Sequence, residues 1–309
     1  MFSVIFPGQG SQIVGMAKEF YQNFNYVKDY FNNADDILKK KLSKIILDGP
    51  KEQLDETINT QPAIFLVSYS IFKTIQNETN FKFDQARFFA GHSLGEYSAF
   101  CCGDAINFNQ TISLLSLRGQ AMQNAVPKGE GGMLAILGIS INEIENIFNE
   151  NKEDFNCYIA NDNSNGQIVV SGKIDSIEKL SITLKKKSIK FIMLPVSAPF
   201  HCPLMSKATE EIKEKILSTK FNNPKVDIVS NVTAKPLSDS NEIKKLLIEQ
   251  IERPVRWRES VNNMINSGVK QFIEIGPGKV LSGLIKRIDR NVKLNQINNL
   301  IDGKDLLND

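Results

Sequence analysis

Histidine is nearly absent from this chain: 309 residues contain two, His92 and His201. Cysteine is sparse too, at Cys101, Cys102, Cys157 and Cys202, with no Cys-x-x-Cys pair. That excludes a disulfide scaffold and a paired-cysteine zinc site; free thiols in a reducing, cytoplasmic compartment are expected. An excess of charge is missing as well: 37 Lys and Arg stand against 35 Asp and Glu, a formal net charge of +2. A chain that grips nucleic-acid backbone normally carries a larger basic excess, so no nucleic-acid partner is expected. No apolar run approaches the roughly 18 residues of a membrane span, so no membrane contact is expected. One residue precedes the apolar run 2–6, which leaves no room for the charged start of a signal or transit peptide. Gly8, Gly10 and Gly15 do not form G-x-G-x-x-G, and no Gly-Lys-Ser/Thr follows them, so neither dinucleotide nor P-loop binding is expected.

The chain is long enough, and at 41% hydrophobic residues apolar enough, to bury a core without staples. Residues 2–6 read as a buried strand running into Pro7-Gly8-Gln9-Gly10. Residues 60–76 read as a helix capped by Thr60, with Pro62 in its first turn and Ile64, Val67, Ile71 and Ile75 at helical spacing. A strand at 86–91 enters Gly91-His92-Ser93-Leu94-Gly95-Glu96, and a helix covers 108–125. Between 131 and 196 the order is β-α-β-β-α-β, with Asn161 to Gly166 read as a turn-rich link, which is the ferredoxin-like split motif. After 203 come a helix to about 218, a strand at 226–231 and helices near 241–252 and 256–267. A strand at 271–275 then enters Gly276-Pro277-Gly278, and a last helix shows Val280, Leu284 and Ile288 on one face. Strands alternating with helices predict a mostly parallel sheet covered on both sides. The expected organisation is a discontinuous α/β domain over 1–127 and 198–309, interrupted by a ferredoxin-like subdomain over 128–197.

Gly91-His92-Ser93-Leu94-Gly95 is a G-x-S-x-G sequence between a predicted strand and a predicted helix, the context in which such a serine is a nucleophile. Small flanking residues permit the sharp turn, and the helix N-terminus favours a developing oxyanion. A serine hydroxyl needs a base. His92 adjoins Ser93 on a turn whose neighbouring side chains diverge, which leaves His201, in the proline-punctuated segment Ser197 to Pro203. Asp104, Asp162 and Asp175 lie between the two, but none has a distinctive context, and a backbone carbonyl orients an imidazole equally well. Arg118 lies on the apolar side of its helix, a costly place unless it is paired; its partner is either an internal carboxylate or one carried by the substrate. The lysine runs 39–41 and 185–187 read as solvated faces, and Arg253, Arg256, Arg258, Lys286, Arg287 and Arg290 as candidates for a basic surface.

Phe6-Pro7-Gly8-Gln9-Gly10-Ser11-Gln12, the Gly91–Glu96 run, Arg118-Gly119 with Met122, Pro199-Phe200-His201, Asn231-Val232-Thr233 and Glu274-Ile275-Gly276-Pro277-Gly278 occur in this order over residues 2–290. Together they resemble the malonyl-CoA:acyl carrier protein transacylase family. The resemblance implies an α/β-hydrolase-like large domain with an inserted ferredoxin-like subdomain. It implies Ser93 as the acyl-accepting nucleophile, His201 as general base, and the backbone N–H groups of Gln9 and Leu94 as the oxyanion hole. Arg118 would hold the malonyl carboxylate, and the backbone carbonyl of Gln250 would orient His201. Met122, Phe200, Asn161 and Asn163 would line the acyl pocket, with Phe200 leaving little room for an α-branch. The implied activity is ping-pong transfer of malonyl from malonyl-CoA to holo acyl carrier protein for fatty-acid synthesis, without cofactor or metal, by a monomer. A serine esterase or thioesterase on the same elbow, and a carrier-docking module without catalysis, are the competing readings.

Overall fold

The computed structural model describes residues 1–151, 155–196 and 198–305; Ser197, which carries a predicted domain boundary, and the tail 306–309 lie outside it. Strands β1 (Phe2–Phe6), β2 (Phe88–Gly91), β3 (Gly131–Leu137), β4 (Cys157–Ser164), β5 (Gln167–Lys173), β6 (Lys190–Met193), β7 (Ile228–Val229), β8 (Pro236–Leu237), β9 (Gln271–Ile275) and β10 (Lys293–Ile297) form two sheets. The larger has the order β10-β9-β1-β2-β7-β8 and is parallel except for β8. Along β1, Val4 and Phe6 enter one core cluster and Ile5 the other, so this sheet is buried on both faces. That is why β1 and β2 read as continuous apolar runs instead of alternating ones.

The smaller sheet has the order β4-β5-β3-β6 with antiparallel neighbours, the order expected of the split β-α-β motif. Its two helices, Ile141–Glu150 and Ile174–Lys186, supply Ile144, Ile147, Ile177, Leu180 and Leu184 to a core with Leu134, Ile136, Ile168 and Val170. The alternate residues Met133, Ala135 and Val169 join the main core instead. The Asn161–Ser164 stretch, expected to be a link, continues β4 as buried strand with two register shifts. Its Asn161 pairs with Val255, and Asp162 N–H donates to the Val255 carbonyl at 3.0 Å, so the large part of the molecule satisfies this polar strand end.

The helix predicted at 60–76 spans Thr57–Glu78, so Thr60 is not its cap and Pro62 lies beyond its first turn. Proline removes the N–H that would pair with the Ile58 carbonyl. Lys40 Nζ donates to that carbonyl at 3.3 Å and to Asn59 Oδ1 at 2.7 Å, which keeps the interrupted turn satisfied. The short helices within 18–55, the strand β10 and the helix Leu300–Asp305 were not anticipated. The predicted strand at 226–231 shrinks to β7, and Val280 is exposed although Leu284 is buried. Beyond Gly276-Pro277-Gly278, the buried carboxylate of Glu274 accepts from the Leu281 and Ser282 N–H groups at 3.0 and 2.8 Å and so caps the following helix.

Candidate active site

The C-terminal ends of β1 and β2 lie side by side, with Phe6 opposite Gly91. β2 ends at Gly91, and a helix begins at Gly95 (Gly95–Cys102), which leaves Ser93 at the apex of the elbow with φ of 54°. The turn is close enough that a Cβ on Gly91 would lie 2.0 Å from the Gly95 carbonyl carbon, and one on Gly95 would lie 2.3 Å from the Phe6 oxygen. Glycine at both positions is therefore a steric requirement. Asn231 clamps the elbow: its Oδ1 accepts from Ser93 N at 2.7 Å and its Nδ2 donates to the Gly91 carbonyl at 2.7 Å. Ser93 and His201, with φ of 58°, both hold the left-handed backbone conformation that non-glycine residues rarely adopt.

His201 Nε2 lies 2.8 Å from Ser93 Oγ, and its Nδ1 lies 2.8 Å from the backbone oxygen of Gln250. A carbonyl oxygen only accepts, so Nδ1 carries the ring proton and Nε2 presents its lone pair to the serine. No acidic side chain takes part: among the described residues, none of Asp104, Asp162 and Asp175 bonds the imidazole. Burial, with the Arg118 charge adding to it, pushes the His201 pKa down to about 3. His92 points elsewhere, its Nε2 lying 2.8 Å from Asn163 Oδ1 and its ring against Trp257.

Arg118 is 1% exposed. Its guanidinium donates to Gln61 Oε1 at 2.7 Å, Gln250 Oε1 at 2.8 Å and Ser93 Oγ at 3.2 Å. Among the described residues no carboxylate forms an ion pair with it, so amide oxygens and the neighbouring Tyr97 ring are what offset its buried charge. Glu96, on the far side of Gln250, accepts from Gln250 Nε2 and, at 3.3 Å, from the Asn231 N–H. Burial pushes its pKa up to about 8.

These groups surround a cavity of about 110 Å³ whose lining includes Gln9, Ser93, Leu94, Arg118, Met122, Asn161, Phe200 and His201. Gln9 and Val196 also line a neighbouring cavity of about 720 Å³. Among the described residues, neither the Gln9 nor the Leu94 backbone N–H has a hydrogen-bond partner. Asn163 does not line the acyl-sized cavity; its side chain is taken up by His92, so the expected pocket role does not fit its position. Gln61, Met133, Leu194 and Val196 line the cavity without having been anticipated. Gln61 carried a readable signal, a buried amide on an otherwise apolar helix face. The expected basic surface is partly neutralised, because Arg256 pairs with Glu259 and Arg258 with Asp162. Among the described residues no cluster of three or more His, Cys, Asp or Glu side chains could hold a metal ion, and no helix is long and apolar enough to cross a membrane.

Residues 3–298 match the acyl transferase domain family. The chain is 42% identical to the malonyl CoA-acyl carrier protein transacylase of Bacillus subtilis, over 94% of this chain and 90% of that protein. It is 37% identical to the transacylase of the same name from Haemophilus influenzae, over 97% and 96%. Among solved structures, the acyl-carrier-protein-S-malonyltransferase of Bartonella henselae superposes with a TM-score of 0.96 at 38% identity, covering 99% of this chain and 98% of that one. A malonyl-transacylase solved in complex with a type II PKS acyl carrier protein superposes at 0.95 and 36% identity, covering 99% of both chains. With its fold, its elbow and its full-length similarity in agreement, this chain belongs to the malonyl-CoA:acyl carrier protein transacylase family of acyl transferases.

Proposed function

We propose that the protein transfers the malonyl group of malonyl-CoA to the phosphopantetheine thiol of holo acyl carrier protein through an ester on Ser93. The observation that carries this reading is Arg118. A cation that forms no ion pair with a carboxylate among the described residues, 3.2 Å from the nucleophile and on the wall of the cavity, fits an acyl group that brings its own carboxylate. Ester hydrolysis of neutral substrates has no use for it.

His201 Nε2 removes the Ser93 proton as Oγ attacks the thioester carbonyl. The tetrahedral oxyanion falls between the N–H groups of Gln9 and Leu94; losing one such donor costs about 3–4 kcal/mol. The imidazolium returns its proton to the departing CoA sulfur, leaving malonyl on Ser93. The carrier thiol then enters by the same path, giving its proton to His201, which passes it to the departing Ser93 Oγ as malonyl moves to the thiol. The Gln250 carbonyl keeps the ring in the required tautomer throughout. Met122 and Phe200 shape the cavity around the malonyl methylene, Phe200 disfavouring a branch there, and Asn161 offers a polar edge. None of these steps requires a metal or an organic cofactor.

The protein works in this reading as a cytoplasmic monomer in fatty-acid synthesis, and its four cysteines are free thiols. In this reading 1–127 with 198–309 form the catalytic domain, and 128–197 form a subdomain that closes one wall of the cavity.

Intact-protein mass spectrometry after brief mixing with malonyl-CoA, and again after holo carrier is added, tests the proposal. A malonyl adduct on Ser93 that moves to the carrier supports transfer. An adduct lost to water equally fast without carrier means a hydrolase, and no adduct in a folded sample means the donor is wrong.

A further inference from the structure

The transfer chemistry leaves the buried carboxyl of Glu96 unused. Glu96 sits in the first turn of the elbow helix, 2% exposed, and both of its recorded partners are N–H donors: Gln250 Nε2 and the Asn231 backbone. Both contacts require Glu96 to accept, and although burial raises its pKa to about 8, even the protonated acid keeps a carbonyl oxygen that can take an N–H.

Gln250 is where this matters. Its backbone carbonyl holds His201, while its side chain bridges two groups with fixed demands. Arg118 only donates, so it requires the amide oxygen; the Ser93 carbonyl only accepts, and takes the amide Nε2 at 3.0 Å. If the amide turned over, an NH₂ would face the guanidinium and an oxygen would face the Ser93 carbonyl. The second acceptor on the Nε2 side is Glu96. We infer that Glu96 is a positioning residue for malonyl selection: by accepting from Gln250 Nε2 it fixes the direction of that amide, and so presents Arg118 with an oxygen that holds the guanidinium toward the Ser93 acyl group. This deepens the proposed function and rests on the reading of Arg118 as the holder of the acyl carboxylate.

The substitution Glu96→Gln keeps the shape but replaces one acceptor oxygen with an NH₂. One of the two donors then faces a donor, and the Gln250 amide keeps only the Ser93 carbonyl as an acceptor on its Nε2 side, which weakens its hold on that direction. The readout is the rate of single-turnover acylation of Ser93 by malonyl-CoA and by acetyl-CoA. Loss of the accepting oxygen beside a buried amide N–H predicts that the malonyl-to-acetyl ratio falls by about tenfold, with the acetyl rate changing much less. An unchanged ratio in the folded variant, or an equal fall for both donors, overturns the inference. A second measurement needs neither the variant nor the transfer reaction. In the native protein the Gln250 side-chain amide protons should exchange slowly with solvent in nitrogen–proton spectra. Fast exchange there overturns the inference, even if malonyl transfer holds. An absent malonyl adduct on native Ser93, with a protected Gln250 amide, would strike the functional reading alone and leave the fixed amide direction supported.

Discussion

The two sheets bury their faces differently, and the difference assigns them different work. The parallel sheet has a core cluster on each face, so its only free features are strand ends, and the nucleophile and Gln9 stand at the ends of adjacent strands. The antiparallel sheet has helices on one face alone. Its other face, with Met133, Ala135 and Val169, lies on the main core, and Met133 and Asn161 reach the cavity. One sheet presents chemistry at its edge; the other contributes a wall. A sheet with a single helical layer is therefore incomplete by itself, and the missing layer here is the catalytic part of the molecule.

If the strand ends carry the reaction and the wall only shapes it, substitutions should separate sharply. Ser93→Ala should abolish the malonyl adduct and reduce transfer by about 10⁴-fold or more, read by intact mass and by carrier loading. Residual adduct on another residue would break the assignment at its root. Arg118→Ala should reduce malonyl acylation by about a hundredfold while sparing much of the acetyl rate, because the acyl carboxylate loses its charged partner, whereas the donors lost to Gln61, Gln250 and Ser93 affect both acyl groups alike. Equal rates for the two donors in the native protein would contradict this. The pH profile comes next. His201 titrates at about 3, below its ordinary 6.5, so its base form persists as pH falls. An unperturbed imidazole would lose about thirtyfold in acylation between neutral pH and pH 5. Here no loss of that size should appear in kcat/KM for acylation, and a limb near 6.5 would show that His201 is not held neutral.

On the wall the expected effects are smaller. Met133→Ala should raise the relative rate of a branched acyl donor by about threefold or more, without loss of the Ser93 adduct. Asp162→Asn removes the carboxylate that accepts from Arg258 Nε at 2.9 Å and Nη2 at 2.8 Å, the tie between β4 and the Trp257–Asn266 helix. It should lower stability by about 1–2 kcal/mol in denaturant titration and leave acylation within about threefold. A large activity loss from Asp162→Asn with unchanged stability would mean that the wall does more than shape.

The parts legible in the sequence are those whose cause is local. Ser93 announces itself because the elbow needs glycine on both sides, and His201 because the chain holds one other histidine. The split β-α-β order appeared through the helical spacing of its two helices and the apolar runs of β3 and β5, which are continuous because both faces of those strands are buried. Residues 161–164 misled for a physical reason: a run of Asn, Asp and Ser has turn composition, and only the distant Val255 and Arg258 make it a buried strand. Gln250 works through a backbone carbonyl, which no side-chain pattern encodes, so it entered only by resemblance. Glu96 and Asn231 stand in quoted motifs, yet their partners lie more than a hundred residues away and drew no role from spacing. Within 18–55 the helix Asn25–Leu38 does carry a period, with Val27, Phe31 and Ala34 buried at helical spacing, but its polar composition hid it; the other helices there are of five to seven residues, and β10 has little apolar content.

The choice of a neutral carbonyl as the partner of His201 has one more consequence. Among the described residues no carboxylate bonds the imidazole, and a guanidinium stands close by, so the protonated ring is disfavoured. Under the proposed reaction the proton taken from Ser93 leaves with the departing sulfur in the same encounter, and the incoming thiol retraces that path. Both half-reactions exchange a thioester for an oxygen ester by one route, run forward and then backward. The catalyst is thus symmetric in time: it favours neither donor nor acceptor, and the direction of net flow is set by the supply of the two thiols and their two malonyl thioesters.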